Sequence, residues 1–284
     1  SNWQYQSIEI EDTYKNPFSK QVLKKSSLII LDDGWISTLS TDDLASLKVD
    51  SFNLELDYQA VSFLRNLGEV NLSNKVFPIS MSPWIMLFRN GEKWLEEASE
   101  SWDVLLNREL SNKIILPQSP RLVMSIANKI SSQDGLLKLK KQTKIFDDRN
   151  AINWLLSGEA RLAILPLRSC WKSLFRDPRL SVVIPKCGSP LNWTVVINSK
   201  YNKVTLPINW IKNGWESKSL PFLLAQGWTP PLPIDQLRSK IKFPRNDLAK
   251  ACLPSDEIWS KCWSLGPLSM IDKDNLTKLW LESN

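Results

Sequence analysis

Arg121 stands where a charge could do chemistry. In SNKIILPQSPRLVMSIANKI (residues 111–130) an apolar strand over Lys113 to Leu116 runs into Ser119, a good helix N-cap. Pro120 suits the first helical position, where the missing N–H costs nothing. Leu122, Val123, Ile126 and Ile130 recur at helical spacing, so one face packs while the opening turn stays outside. Free N–H groups and the positive end of the helix dipole gather at that turn, and Arg121 adds a formal charge, so it could meet a polar or anionic group. An ordinary strand-to-helix turn has the same pattern, and most such turns bind nothing. The opposite charge stands at the end of another apolar strand, SSLIILDDGW (26–35), where Asp32 and Asp33 open a glycine-containing loop.

What the chain lacks narrows the chemistry. There is no histidine among its 284 residues, which removes Ser-His-Asp and Cys-His catalysis and the commonest general base. A hydrolase would have to rely on carboxylates or lysine, so the chain is expected not to be an enzyme. Cys170, Cys187, Cys252 and Cys262 show no C-x-x-C spacing, and neither zinc nor another cofactor is expected. A net charge of +6 permits an acidic partner without demanding one, because the basic residues are dispersed. The densest group, Lys138, Lys140, Lys141 and Lys144, is interleaved with Leu137, Leu139 and Ile145. It reads as a solvated face rather than a phosphate-binding stripe, and no nucleic-acid partner is expected. Fourteen tryptophans serve either as core filler or as flat walls of a ligand site, with core filler the default.

The elements that must position these groups alternate between strand and helix signals, which argues for parallel α/β layers. STDDLASL opens a helix capped by Ser40 or Thr41, a further helix covers 57–67, and KVFPISMSPWIMLF (75–88) reads as extended segments around a proline-marked bend. Residues 92–109 form one or two helices carrying Trp94, Leu95, Trp102, Leu105 and Leu106. A helix capped by Asp147 or Asp148 stops at Gly158 and leads into a strand from Arg161 to Leu165. RLSVVIPK (179–186) and LNWTVVINSK (191–200) are two more strands, and the tail from Pro207 is mainly helical with breaks at Gly214 and TPPLP (229–233). The longest apolar runs, such as LAILPL (162–167), fall far short of the roughly 18 residues of a membrane span.

The order of three blocks carries a resemblance. GEKWLEEASESWDVLLNRELSNKIILPQSPRLVMSIANKI, then WLLSGEARLAIL, then LSVVIPKCGSPLNWTVVINSKYNK, resembles the bacterial extracellular solute-binding proteins of the polyamine (spermidine/putrescine) ABC-transporter type. The family's blocks correspond to Trp102 to Arg121, Ser157 to Leu165 and Pro185 to Thr194, and LIILDDGWIS resembles its first-lobe ligand loop in a form associated with cyanobacterial members. The resemblance implies a type II periplasmic-binding-protein fold, two α/β lobes joined by a hinge in the manner of a Venus flytrap. Its implied function is capture of a small-molecule solute by lobe closure, read by the membrane permease of an ABC importer. It further implies a periplasmic location and a monomer. On this resemblance residues 1–82 and 190–284 form lobe 1 and residues 83–189 form lobe 2.

Departures from the family bear on the ligand. Polyamine sites clamp an aliphatic chain between aromatic rings and meet each ammonium with a carboxylate. Where the family's crossing segment reads Trp-x-Asp, this chain has Asn192, Trp193 and Thr194, so the carboxylate is gone and the indole has moved one place, which on a strand turns it to the other face. The aromatic pocket is replaced by Pro78, Ile79, Ser80 and Met81. The ligand-site candidates are Asp32, Asp33 and Trp35 in the first loop, Met81, Ser82 and Trp84 at the bend, Ser119 and Arg121 at the helix start, and Asn192, Trp193 and Thr194, with Arg168 and Lys186 at the border. Such a set has fewer acids and more bases than a polyamine needs. The chain is expected to enter near the family's second strand, in YQSIEIED (5–12). If the protein is exported, Cys252 and Cys262 could pair and stabilise it by about 3 kcal/mol. The competing classes are an enzyme on the same fold and a divergent lobe pair that has lost polyamine binding and takes another solute or a protein partner.

Overall fold

The structure, a computed structural model, describes residues 20–47, 55–68, 71–201, 208–216, 218–240, 243, 245–268 and 270–282; the expected strand in residues 5–12 lies outside them. Eight strands are found among these residues: β1 (Leu28–Asp32), β2 (Val76–Arg89), β3 (Ile114–Leu116), β4 (Thr143–Phe146), β5 (Leu162–Pro166), β6 (Leu180–Val183), β7 (Pro190–Asn198) and β8 (Trp263–Ser264). They follow the order β1-β7-β2-β5-β3-β4, with β6 on β2 and β8 on β7.

The path is organised by β2, a single strand of 14 residues where the sequence suggests a bend. Its two prolines survive because each sits where the ladder is already interrupted. Pairing with β7 shifts register between Pro78 and Ser80 and ends at Pro83, opposite Leu191. From Trp84 onward β2 pairs with β5, and from Met86 also with β6. The chain thus passes from one sheet to the next through β2 and returns through β7, which makes those two strands antiparallel. Parallel pairing is confined to β3 with β4 and β5, and to β7 with β8.

Helices cover both sheets. Helix Tyr58–Gly68 lays Phe63 on Trp193 of β7, ring centroids 4.8 Å apart and nearly parallel. Its start is fixed by Asp57, a buried carboxylate that accepts from Gln59 N (2.9 Å) and from Trp259 Nε1 (3.0 Å). Gln59 in turn donates to the Trp259 and Cys262 carbonyls at 2.9 and 3.0 Å, tying the segment before β8 to this helix. In the second sheet Met86, Phe88, Ile114 and Leu116 pack with Trp102, Val123 and Ile126. Trp102, Trp171, Trp193 and Trp259 are fully buried, the core use of indole.

Several local expectations meet a different outcome. STDDLASL makes only a short 3-10 turn, Thr41–Asp43, with no side-chain cap from Ser40. The 92–109 stretch divides into helix Leu95–Glu100 and two 3-10 turns, Trp102–Leu106 and Arg108–Leu110. Gly214 lies inside helix Ile208–Glu216 and breaks nothing. Asn150, not an aspartate, is the N-cap of helix Ala151–Ser157, while Asp147 accepts from the Arg149 and Asn150 amides just before it; Gly158 ends the helix at φ 80°. All four cysteines are free thiols. Cys252 Sγ contacts Thr229 Oγ1 at 3.4 Å and Cys262 Sγ points at the Ile258 carbonyl, so the expected pair is not formed. The lysine group is splayed onto aromatics rather than arrayed: Lys140 lies 4.3 Å from the Trp280 ring and Lys144 5.1 Å from that of Trp154. Among the described residues no helix is long and apolar enough to cross a membrane.

Candidate functional site

Strand register builds a polar row at the junction of the sheets. Thr194 of β7 lies between Asp32 of β1 and Ser80 of β2, and Asn192 lies opposite Ser82. Alternation puts these five side chains on one face and leaves Leu191, Trp193 and Val195 on the other, in the core. Ser80 Oγ is buried and has no hydrogen-bond partner among the described residues.

Arg168 reaches into this row from the first turn of helix Leu167–Arg176, which follows β5 directly. The Arg168 amide, one of those a helix start leaves unpaired, donates to Ser82 Oγ at 3.0 Å. Its guanidinium donates to Thr194 Oγ1 at 2.6 Å and to Asp32 Oδ1 at 3.2 Å, and lies 4.5 Å from the centre of the Trp228 ring. Thr194 Oγ1 also donates to Asp32 Oδ1 (3.3 Å). Trp228 comes this close because Gly227 adopts φ +75°, and a β-carbon there would lie 2.9 Å from Trp171 Cβ and 3.4 Å from Arg168 Cα. The next residue, Thr229, accepts from the Met81 amide at 2.8 Å and holds the segment to β2.

Asp33, the residue after β1, is buried. Its Oδ1 accepts from Trp193 N and from Asn192 Nδ2, each at 3.2 Å. Burial pushes its carboxyl up to about 7; the Trp193 amide and the Arg121 charge oppose that rise, and the neighbouring Asp32 adds to it. Burial lowers Arg121, while the Asp33 charge counteracts it. Arg121 has no ion pair among the described residues. It stands at the start of helix Pro120–Ala127, where Ser119 Oγ accepts from Leu122 N at 3.4 Å as the cap.

The expected residues therefore separate. Asp32, Asp33, Ser82, Asn192 and Thr194 converge on one junction, the Arg121 charge acts on Asp33 from the start of its helix, and Arg168, expected at the border, is at the centre of the junction. Met81 and Trp193 are 1% and 0% exposed and lie on the core face of their strands, so they do not stand in the polar row. Ser119 is exposed and occupied as a cap. Trp35 and Trp84 are partly buried, Trp35 against the core holding Ile36 and Trp84 against that holding Met86. Lys186 pairs with Glu100 at the surface. Trp228 was not anticipated, and Ser80 was named only as a replacement in the family's aromatic pocket: Trp228 carries only the turn glycine before it as a signal, and Ser80 only its alternation with Ser82.

Among the described residues no three His, Cys, Asp or Glu side chains gather as a metal site would require. No family model and no curated protein sequence matches the chain. Solved structures do resemble it. The spermidine/putrescine ABC transporter substrate-binding protein PotD from Streptococcus pneumoniae is 15% identical, with a TM-score of 0.68 over 95% of this chain and 88% of the other. The Tp0655 (TpPotD) lipoprotein of Treponema pallidum is 12% identical, with a TM-score of 0.63 over 93% of this chain and 88% of the other. Iron-bound HitA from Pseudomonas aeruginosa is 12% identical, with a TM-score of 0.60 over 93% and 88%. The chain has the α/β periplasmic-binding-protein fold that these structures share.

Proposed function

We propose that the chain is the substrate-binding component of an ABC importer, a periplasmic monomer that closes two lobes on a small solute and presents the closed form to a membrane permease. The observation that carries this reading is the convergence of Asp32, Asp33, Asn192 and Thr194 at the junction of two sheets, with the Arg121 charge acting on Asp33, in a fold shared with such proteins. The change of β2 partners after Pro83 supports a division into residues 1–82 with 190–284, and 83–189. Reversible closure around that junction is the signal a permease reads.

Membership of the polyamine-binding branch is supported by the neighbours' names, but the site chemistry favours a solute with a neutral or anionic end. An ammonium in a partly buried site needs a carboxylate partner. Asp32 is already paired with Arg168, and Asp33 faces Arg121 with a carboxyl that titrates near neutrality. Titration calorimetry with spermidine, putrescine and a panel of small carboxylates and neutral solutes, followed by small-angle scattering, is the test. A carboxylate or neutral solute is expected to bind and compact the protein, with both polyamines weak. Sub-micromolar polyamine binding would overturn the ligand reading, and the absence of any compacting solute would overturn the transport reading in favour of a protein-interaction role.

A further inference from the structure

We propose that Arg168 is a tethered cation, filling a cation-recognition site built by Asp32, Thr194 and Trp228 and thereby barring free organic cations from the junction. This deepens the solute-binding reading and rests on it for its biological meaning, though not for its test.

Recognition of an alkylammonium or guanidinium ion calls for a carboxylate, a hydroxyl acceptor and an aromatic face, and all three surround one point here. The Asp32 carboxylate, the Thr194 hydroxyl and the Trp228 ring come from β1, β7 and the turn after helix Leu220–Leu224, three segments far apart in sequence. At the point they share lies the Arg168 guanidinium, 3.2 Å from Asp32 Oδ1, 2.6 Å from Thr194 Oγ1 and 4.5 Å from the Trp228 ring centre. The side chain is delivered from the second sheet, and its backbone is held by the Ser82 hydroxyl. Ser80 Oγ, buried beside Thr194 without a partner among the described residues, adds a polar group to the same face. An Arg168 contribution to packing alone would not require a carboxylate, a hydroxyl and an indole to converge on its charged end. With the position filled from within, Arg121, whose charge acts on Asp33, is a further basic group near the junction, which is why the solute expected there is neutral or anionic.

The test is chemical rescue. Truncating Arg168→Ala leaves the recognition groups in place and empties the point between them. Methylguanidinium and putrescine, titrated at low millimolar concentration, are expected to raise the melting temperature of the variant and to leave the wild type unmoved. Calorimetry should give affinity for methylguanidinium roughly tenfold or more above the wild type, the equivalent of at least about 1.4 kcal/mol. Adding Asp32→Asn to the variant should abolish the gain. Arg168→Gln, which keeps part of the aliphatic stem but removes the charge and ends short of Thr194, serves in parallel, so that loss of folding in the alanine variant leaves a second reading. Equal cation binding by wild type and variants, or none by a folded variant, would overturn the proposal. Because the gain is read without any natural solute, its failure is distinct from failure of the transport reading, which rests on solute-driven closure.

Discussion

Replacing Asp33 by asparagine isolates the cost of a buried charge. The carboxyl is buried and accepts from Trp193 N and Asn192 Nδ2, both through Oδ1, which asparagine retains. Its rise from 3.8 to about 7 is worth about 4 kcal/mol between the protonated and ionised states. The sign follows from the direction: the folded state holds the proton more tightly than the unfolded state, so the contribution is fully present below the unfolded value of 3.8 and is lost as pH rises through about 7. Asparagine mimics the protonated form at every pH. Asp33→Asn should therefore match the wild type near pH 4 and exceed it by up to about 4 kcal/mol near pH 8, less whatever Arg121 loses with its opposing charge. Urea unfolding followed by tryptophan fluorescence across that range measures both curves, and the variant's curve should be the flatter. A stability difference that does not change with pH, or a variant weaker than the wild type near pH 8, would refute the account of Asp33 as a carboxyl held against its charge.

Three further outcomes follow from the geometry. Gly227→Ala places a β-carbon against Trp171 at a positive φ and should cost about 1 to 3 kcal/mol while weakening the Trp228 stack, both measurable by denaturation and by the near-ultraviolet signal of the indole. Asp57→Ala removes the helix-start acceptor and leaves Trp259 Nε1 without its carboxylate, an expected loss of about 2 kcal/mol by urea unfolding. Alkylation under non-reducing, denaturing conditions followed by mass analysis should label Cys170, Cys187, Cys252 and Cys262 alike; a protected pair would contradict the free thiols.

Local chemistry was legible wherever one short stretch held both the signal and its consequence. Ser119 and Pro120 open a helix and Gly158 closes another because capping and left-handed backbone are decided within a turn. β1 and β7 were visible as apolar runs, and the one-residue displacement of Trp193 implied a change of face, although the residue stayed in the expected ligand set; in the structure it stacks on Phe63. The unbroken course of β2 was not legible, because whether Pro78 and Pro83 break a strand depends on where partner strands shift register and end. Nor was the central place of Arg168. The sequence by itself determined that charged groups stand at element ends and that no histidine is present to work with them. Only the tertiary structure decided which charges meet: Arg168 and Asp32 are separated by 136 residues, and their pairing depends on strand register, on a helix start beside Ser82 and on the backbone freedom of Gly227 that brings Trp228 over the guanidinium. Long-range register and close approach are set by how the packed elements fit, and a linear pattern carries no record of that fit.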